Sequence, residues 1–489
     1  MTHDKPNPAP PGSPHRGVEY DTVSADYLQR RELKQGAAGW VLLASLGVSY
    51  VISGDFAGWN FGLVHGGFGG MLLAVVAMAT MYLCLVFTLA ELSTSLPTAG
   101  GGYSFARRAM GPLGGYLTGT AVLLEYAIAP AAIVIFIGSY VHELVGWDGP
   151  LVYAIFYIVF IGIHLWGAGE ALKIMMGITL LAVVAIAVFV IASIPFFQFD
   201  HLFPSTASQV GDAVGASRFL PHGYYGIWAA IPFAMWLFLA VEGVPLAAEE
   251  AREPATDIPR GIITAMLILL VTGGLVLFLA PGAAGVDRIQ DHGAPLVAAL
   301  QANYGSQSRL ATFVNFVGLS GLIASFFAII YAYSRQVFAL SRAGYLPRFL
   351  SITGHRKVPS LALIVPGLMG FLLSLTGAGD LMINMAVFGA TISYAMISLS
   401  HILLRLREPQ LPRPYKTPGG SWTSGAALIL SLIAFASTFA VSVEAAFWTL
   451  ACYGIMVSYF MLYSRHHLVA QAPEEEFAAI AAAETELSD

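Results

Sequence analysis

Three carboxylates in this sequence sit in apolar stretches with no base beside them. Glu125 stands inside the run VLLEYAIAPAAIVIFIGSYV. Asp55 and Glu242 each lie in a glycine-containing interruption of an apolar segment, SGDFAG and AVEGV. Ionisable groups at membrane depth are costly, and they mark pathways or ligand sites. No lysine or arginine is expected at comparable depth. Three acids without a base call for a partner from outside, and a small cation fits that chemistry. Each acid also has a plainer alternative. Glu125 could be a protonated glutamate bonding a neighbouring helix, and Asp55 could cap the second half of the first helix, a common role for Asp. Glu242 follows its interruption, a position suited to gating or to carrying a proton.

The elements that hold these groups follow from composition. The chain has 489 residues, 57% hydrophobic and only 11% charged, where a soluble domain carries about 25% charged residues. It therefore reads as an all-α integral membrane protein. Twelve stretches near the ~20-residue spanning length fall at roughly 38–63, 68–95, 112–143, 149–166, 171–195, 226–248, 259–281, 309–340, 359–378, 381–404, 423–442 and 444–464. Residues 1–35 form a polar, Pro-rich tail, with no apolar core for a cleavable signal. Residues 465–489 form an acidic tail. With twelve spans and the N-terminus inside, twenty of the 23 basic residues fall on the inner side. Only Arg218, Arg288 and Arg309 fall outside. This bias predicts a multi-pass protein of the inner (plasma) membrane with both termini cytoplasmic.

Several function classes drop out. No nucleotide-binding loop or metal-ligand spacing appears in a supporting context, and neither does a nucleophile–base pair. No ATP-driven motor, enzyme activity, cofactor, metal or nucleic-acid partner is therefore expected. Cys84 and Cys452 lie within spans and read as inert thiols. His65, His164 and His401 lie near span ends and read as interfacial. A membrane sensor would need an added signalling domain, for which neither tail is long enough.

The interrupted helices are the first and the sixth. Units of five spans have opposite orientations, which is the pattern of an inverted repeat with a midplane site between its broken helices. The bland alternative is helix packing, since small residues let helices approach closely.

Three stretches carry a resemblance. They are AELSTSLPTAGGGYSFARRAMGPLGGY at 90–116, MWLFLAVEGVPLAAEEAREPATDIPRGI at 235–262, and SRQVFALSRAGYLPRF at 334–349 with LRLREPQLPRPYKTP at 404–418. Together they resemble the amino acid–polyamine–organocation transporter superfamily, over residues 36–464. YVISGDFAGWNFGL is similar to the ethanolamine permease branch. The resemblance implies two inverted five-helix repeats, helices 1–5 at about 36–195 and 6–10 at about 226–405. Helices 1 and 6 would be broken, two peripheral helices would lie at about 423–464, and access to a central site would alternate.

Departures from the family pattern bear on cargo. Amino acid transporters of this family grip the substrate carboxylate with backbone amides at the helix 1 break, as helix N-termini do. Here Ser53 and Gly54 are followed by Asp55. Two like charges ~4 Å apart cost about 4 kcal/mol at an effective dielectric of 20, enough to reject a ligand carboxylate. By resemblance, Glu125 and Tyr126 fall at substrate-lining positions. Trp236 and Phe238 match aromatic positions before the helix 6 break, where a ring covers the substrate and attracts a cation. Ser53, Gly54 and the Leu239 backbone are polar contacts by position, and Trp236 would also gate. Ser320 and Ser325 could line a sodium site. The expected cargo is a small organic amine, most of all ethanolamine, carried with or without a coupling proton or sodium ion. The alternative is a polyamine or cationic amino acid exchanger of the same fold.

Overall fold

The computed structural model describes residues 18–21, 23–24, 27, 36, 38–203, 210–305, 308–354, 356–469 and 472–473, without the side chains of 168–172. Most of both expected tails, 1–35 and 465–489, lies outside the described residues. The helices are α1 Trp40–Val51, α2 Ser53–Phe56, α3 Phe61–Ser95, α4 Gly102–Val145, α5 Pro150–Trp166, α6 Ala168–Ser193, α7 Gly223–Trp236, α8 Pro254–Ala284, α9 Val286–Ile289, α10 Pro295–Tyr304, α11 Arg309–Arg342, α12 Ser360–Ser374, α13 Gly379–Arg407, α14 Ser421–Val441 and α15 Val443–Leu462. Among the described residues, nine helical segments are long and apolar enough to cross a membrane. Three shorter apolar helices accompany them, at 40–56, 150–166 and 360–374. Large apolar side chains such as Ile158, Leu180, Phe316 and Ile455 face outward, which suits a hydrocarbon solvent and would be unfavourable in water.

Glycines at positive φ punctuate the two longest helices. Gly67 (φ 63°) divides α3 and Gly111 (φ 80°) divides α4. The segments beyond them begin at Phe68 and Pro112, where the hydropathy pattern placed the starts of spans. In the interior, α13 lies along α4, α3 along α7, and α1 along α8, while α11 packs on both α4 and α6.

The two interruptions differ in detail from the sequence expectation. The first helix runs through Ser53 and Gly54 as the single turn α2, and then leaves helical geometry at Ala57 (φ −159°) and Gly58 (φ 94°). The sixth segment breaks between Trp236 and Val241. Its left-handed residue is Ala240 (φ 78°) rather than Gly243. A non-glycine residue held there stores roughly 1–3 kcal/mol of strain, of the kind that clusters at functional joints. Beyond it, Val241–Glu250 is wound as a 3-10 helix, much longer than the usual short 3-10 pieces. Gly54 and Gly243 serve close approach instead. A Cβ on Gly54 would lie 2.8 Å from the Trp236 carbonyl oxygen and 3.0 Å from the Leu237 Cα. A Cβ on Gly243 would lie 2.8 Å from the Tyr50 ring.

Backbone groups freed by the first break have partners within the protein. Ser325 on α11 accepts from the Ser53 amide at 2.9 Å and donates to the Ser49 carbonyl at 2.6 Å. Tyr140 donates to the Phe56 carbonyl at 2.9 Å, and the Trp236 indole donates to the Ala57 carbonyl at 3.0 Å. Asn60 accepts from the Gly58 amide and donates to the Ile289 carbonyl. Satisfying such groups internally is what permits irregular backbone inside a membrane protein.

One end of the bundle is closed by ion pairs. Glu91 meets Arg405 at 2.5 Å, Arg413 at 3.1 Å and the Thr417 amide at 2.6 Å. Glu250 pairs with buried Arg335 at 2.5 Å, and Glu249 with Arg342 at 2.8 Å while also accepting from the Ala99 amide. At the same end, strand β1 Tyr20–Asp21 runs parallel to β2 Leu468–Val469.

The contact at Gly54 leads to a stability prediction. Gly54→Ala forces a methyl against backbone atoms of the other break, and overpacking of that kind costs about 1–3 kcal/mol. A thermal-shift midpoint below that of the wild type is expected. Gly274→Ala on α8 meets open space, so its midpoint should hold or rise, since Ala favours a helix over Gly by up to ~1 kcal/mol.

Candidate functional site

Glu125 and Tyr126 are consecutive residues near the middle of α4, both fully buried. Glu242 follows the left-handed turn at Ala240, which directs the chain back toward α4 and α13. Tyr126 donates to one oxygen of Glu242 at 2.8 Å, and Tyr394 on α13 donates to the other at 2.7 Å. The same Tyr394 hydroxyl lies 3.3 Å from Glu125. Tyr82 on α3 lies 3.4 Å from Tyr394 and 3.3 Å from the Met235 carbonyl. Two carboxylates and three phenols therefore meet where α3, α4, α13 and the sixth-segment break come together.

The hydrogen bonds are unequally shared. Glu242 receives two short donors. Glu125 receives the longer share of a single hydroxyl, and its second oxygen has no hydrogen-bond partner. A tyrosine hydroxyl has one proton to give, so Tyr394 cannot fully serve both acids. At an effective dielectric of 20, two like charges ~4 Å apart repel by about 4 kcal/mol. Among the described residues no base bonds either acid; Arg335 is paired with Glu250. The pair is therefore balanced only when it holds a proton or a cation, with Glu125 as the open position.

The other expected site residues take different places. Phe238 packs its ring 5.7 Å from Tyr82, beside the acid pair. Trp236 lies one layer away. It bonds the Ala57 carbonyl and sets its ring edge-on to Phe136 at 6.4 Å. Phe136 and Phe61 in turn line a cavity of about 400 Å³ whose wall includes His65, Ser139, Asp291 and Asp380. The aromatic group thus stands between this vestibule and the acid pair. Ser53, Gly54 and Leu239 lie at the joint between the breaks. The Ser53 amide is held by Ser325, and the Leu239 amide reaches the Trp236 carbonyl at 3.4 Å. Ser325 has both its bonds within this joint, and Ser320 donates to Val317. Asp55 is not brought to the pair: it is fully buried and faces Gly273 and Thr272 of α8.

Sequence reasoning missed Tyr82 and Tyr394. Tyrosines in apolar helices are common, and only the packing of α3, α4 and α13 converges these on the acids. It also misplaced two histidines. His401 is buried against Glu91 at 3.2 Å and bonds Ser424, and His164 is buried against the Phe327 ring. Both were read as interfacial because they lie near span ends, yet the helix ends around them are covered by neighbouring elements.

Comparisons with known proteins agree with this architecture. A family model described as amino acid permease matches residues 39–462. An uncharacterised transporter of Rhizobium meliloti (strain 1021) is 25% identical, over 88% of this chain and 92% of its own. The branched-chain amino acid permease BcaP of Bacillus subtilis (strain 168) is 28% identical, over 87% of this chain and 92% of its own. The methylthioribose transporter of the same bacterium is 25% identical, over 68% of this chain and 73% of its own. The matched region holds both breaks, the acid pair and the ion-paired end. This chain belongs to the amino acid permease family of multi-pass membrane transporters.

Proposed function

We propose that this permease moves a small organic amine, ethanolamine first among them, across the inner (plasma) membrane by alternating access. The observation that carries the reading is the Glu125–Glu242 pair, enclosed by Tyr82, Tyr126 and Tyr394 and lacking a base. An ammonium group supplies the missing positive charge and donates to the open oxygen of Glu125. Ring faces around a desolvated cation add about 2 kcal/mol. A carboxylate on the ligand would add a third negative charge, so amines without one are preferred. The first-break carbonyls of Phe56 and Ala57 already have donors, which leaves the acids as the main ammonium partners. Trp236 and Phe136 form the lid toward the vestibule, and the ion-paired end is the closed cytoplasmic gate.

Twelve crossings in two inverted repeats accompany this reading. Two observations support it: Tyr20–Asp21 pairs with Leu468–Val469, as expected of ends on one side and an even number of crossings, and among the described residues nine long apolar segments stand beside three shorter apolar helices.

A second reading, transport of a neutral amino acid, is favoured by one finding: relatives at up to 28% identity include branched-chain amino acid permeases. A thermal-shift panel separates the two, using ethanolamine, choline, putrescine, arginine, alanine, leucine and methylthioribose on purified protein. Ethanolamine should raise the midpoint most. A larger shift with leucine or alanine than with every simple amine would hand the site to amino acids.

Glu125→Gln tests the ammonium contact. The amide keeps shape and removes charge, and truncating one partner of a buried charge pair costs roughly 2–5 kcal/mol. Ethanolamine affinity measured by calorimetry should fall at least about 30-fold, since ~1.4 kcal/mol is tenfold. Wild-type affinity should weaken as pH falls, because protons compete with the ammonium for the carboxylate. The variant should lose that dependence. Wild-type affinity in Glu125→Gln contradicts the assignment.

Trp236→Leu tests the lid. It removes the indole that separates vestibule from site and orphans the Ala57 carbonyl, a loss of about 1–3 kcal/mol in stability. Ethanolamine uptake by vesicles should drop while the protein still reaches the membrane. Unchanged uptake kinetics would reduce Trp236 to a packing residue.

A further inference from the structure

Asp55 stands apart from the acid pair. Its side chain is fully buried, and neither carboxylate oxygen has a hydrogen-bond partner of good geometry. Its place is mechanical as well as chemical. It sits on the one-turn helix α2, between the two breaks and α8. A Cβ on Gly273 would lie 3.2 Å from its Oδ1 and 3.2 Å from Leu237 of the other break.

Among the described residues no charged side chain bonds Asp55; on the elements packed against α2, Tyr50 of α1 lies beside Gly243 and the Tyr331 ring of α11 lies beneath Arg335. Tyr140 of α4 bonds the Phe56 carbonyl, and Arg335 of α11 pairs with Glu250. Glu125 and Glu242 are tied into the tyrosine cluster, and α8 offers only Gly273 and the Thr272 hydroxyl. An anion placed here would be a desolvated charge with no base and only the Thr272 hydroxyl to offset it, which costs several kcal/mol. A metal ion would need a shell of several oxygens, and the side chains recorded beside Asp55 offer only the Thr272 hydroxyl. The Ser325 hydroxyl, the obvious candidate for such a shell, is committed to Ser49 and Ser53. A proton alone satisfies the site.

We propose that Asp55 is the coupling-proton site of this transporter, separate from the ammonium site at Glu125 and Glu242. The proposal rests on the transport reading above. In the occluded arrangement the breaks and α8 close over a neutral carboxylic acid. Losing the proton creates an anion that this arrangement does not tolerate, so release requires the joint to open and admit water. A ligand shifts a conformational equilibrium only by its differential affinity for the two states. Here the proton favours closure and its loss favours opening, so proton and amine travel together.

The test has a cargo-independent arm and a transport arm. Infrared spectra of purified full-length protein at neutral pH, taken as wild type minus Asp55→Asn, should show a protonated carboxylic acid band, since the acid pair is common to both proteins and cancels. Absence of that band from the difference overturns the proposal whatever the cargo. In proteoliposomes, an inward proton gradient should drive uphill ethanolamine uptake by the wild type, with matching alkalinisation outside. Asp55→Asn should keep ethanolamine binding and one-for-one exchange but lose gradient-driven accumulation and proton flux. Leucine is run alongside, so a mistaken cargo shows as wild-type uptake of leucine alone, with the proton readout still obtained. Proton-driven accumulation that survives in Asp55→Asn overturns the proposal. So does substrate-linked proton flux that is absent from the wild type, or accumulation that follows sodium instead. Loss of binding in a folded Asp55→Asn would make Asp55 a cargo ligand and refute it equally.

Discussion

The central region of this protein depends on one close approach. Two interrupted helical segments touch at Gly54, whose missing side chain lets α2 lie against the Trp236 and Leu237 backbone. From that contact the rest of the centre follows. Trp236 can reach the Ala57 carbonyl because the breaks are adjacent. Ala240 can then turn the chain in a left-handed step, which sets Glu242 against Tyr126 and Tyr394. Any side chain at residue 54 would separate the breaks and with them the acids. Hydrophobic burial holds the surrounding helices together, but it has no means of specifying that juncture. A steric vacancy and a few directed hydrogen bonds do.

The acids of the chain divide into two populations with different physics. Glu91, Glu249, Glu250 and Glu408 each meet an arginine at 2.5–2.8 Å. Their charges are neutralised within the fold, and they bind one end of the bundle together. Among the described residues, Asp55, Glu125 and Glu242 meet no base. A structure that neutralises some carboxylates with arginine and leaves others open has not run short of basic residues. It places them where permanence is needed and withholds them where a charge must come and go.

This division explains what could be read from sequence. Much of the stretches that carried the family resemblance, around Glu91, Glu249–Glu250, Arg335–Arg342 and Arg405–Arg413, forms the ion-paired end, while the stretch at 235–262 also spans the sixth-segment break and Glu242. Fixed partners at fixed spacing leave a legible pattern. The central acids were legible for the opposite reason, as charges where apolar residues are expected. Their arrangement was not. Nothing in the run around Glu125 announces that it meets Tyr394, 269 residues later, and nothing in SGDFAG says that Asp55 turns toward α8. Helix boundaries were visible because Gly67 and Gly111 punctuate long apolar runs. The positions of the breaks were blurred because Gly54 and Gly243 mark the interruptions but provide space, the packing alternative, rather than the turn itself. The left-handed step fell to Ala240, which no composition rule selects.

The small parallel pairing of Tyr20–Asp21 with Leu468–Val469 bears on how the molecule is made. Strand β1 leaves the ribosome before every span, and its partner follows more than four hundred residues later. Until then residues 20 and 21 have no edge to join, however much of the bundle has already entered the bilayer. The Arg348 guanidinium that meets Asp21 at 2.5 Å likewise comes more than three hundred residues after it. The pairing therefore records that synthesis has passed residue 469. A chain that stalls before that point can assemble its helices and still lack this seam.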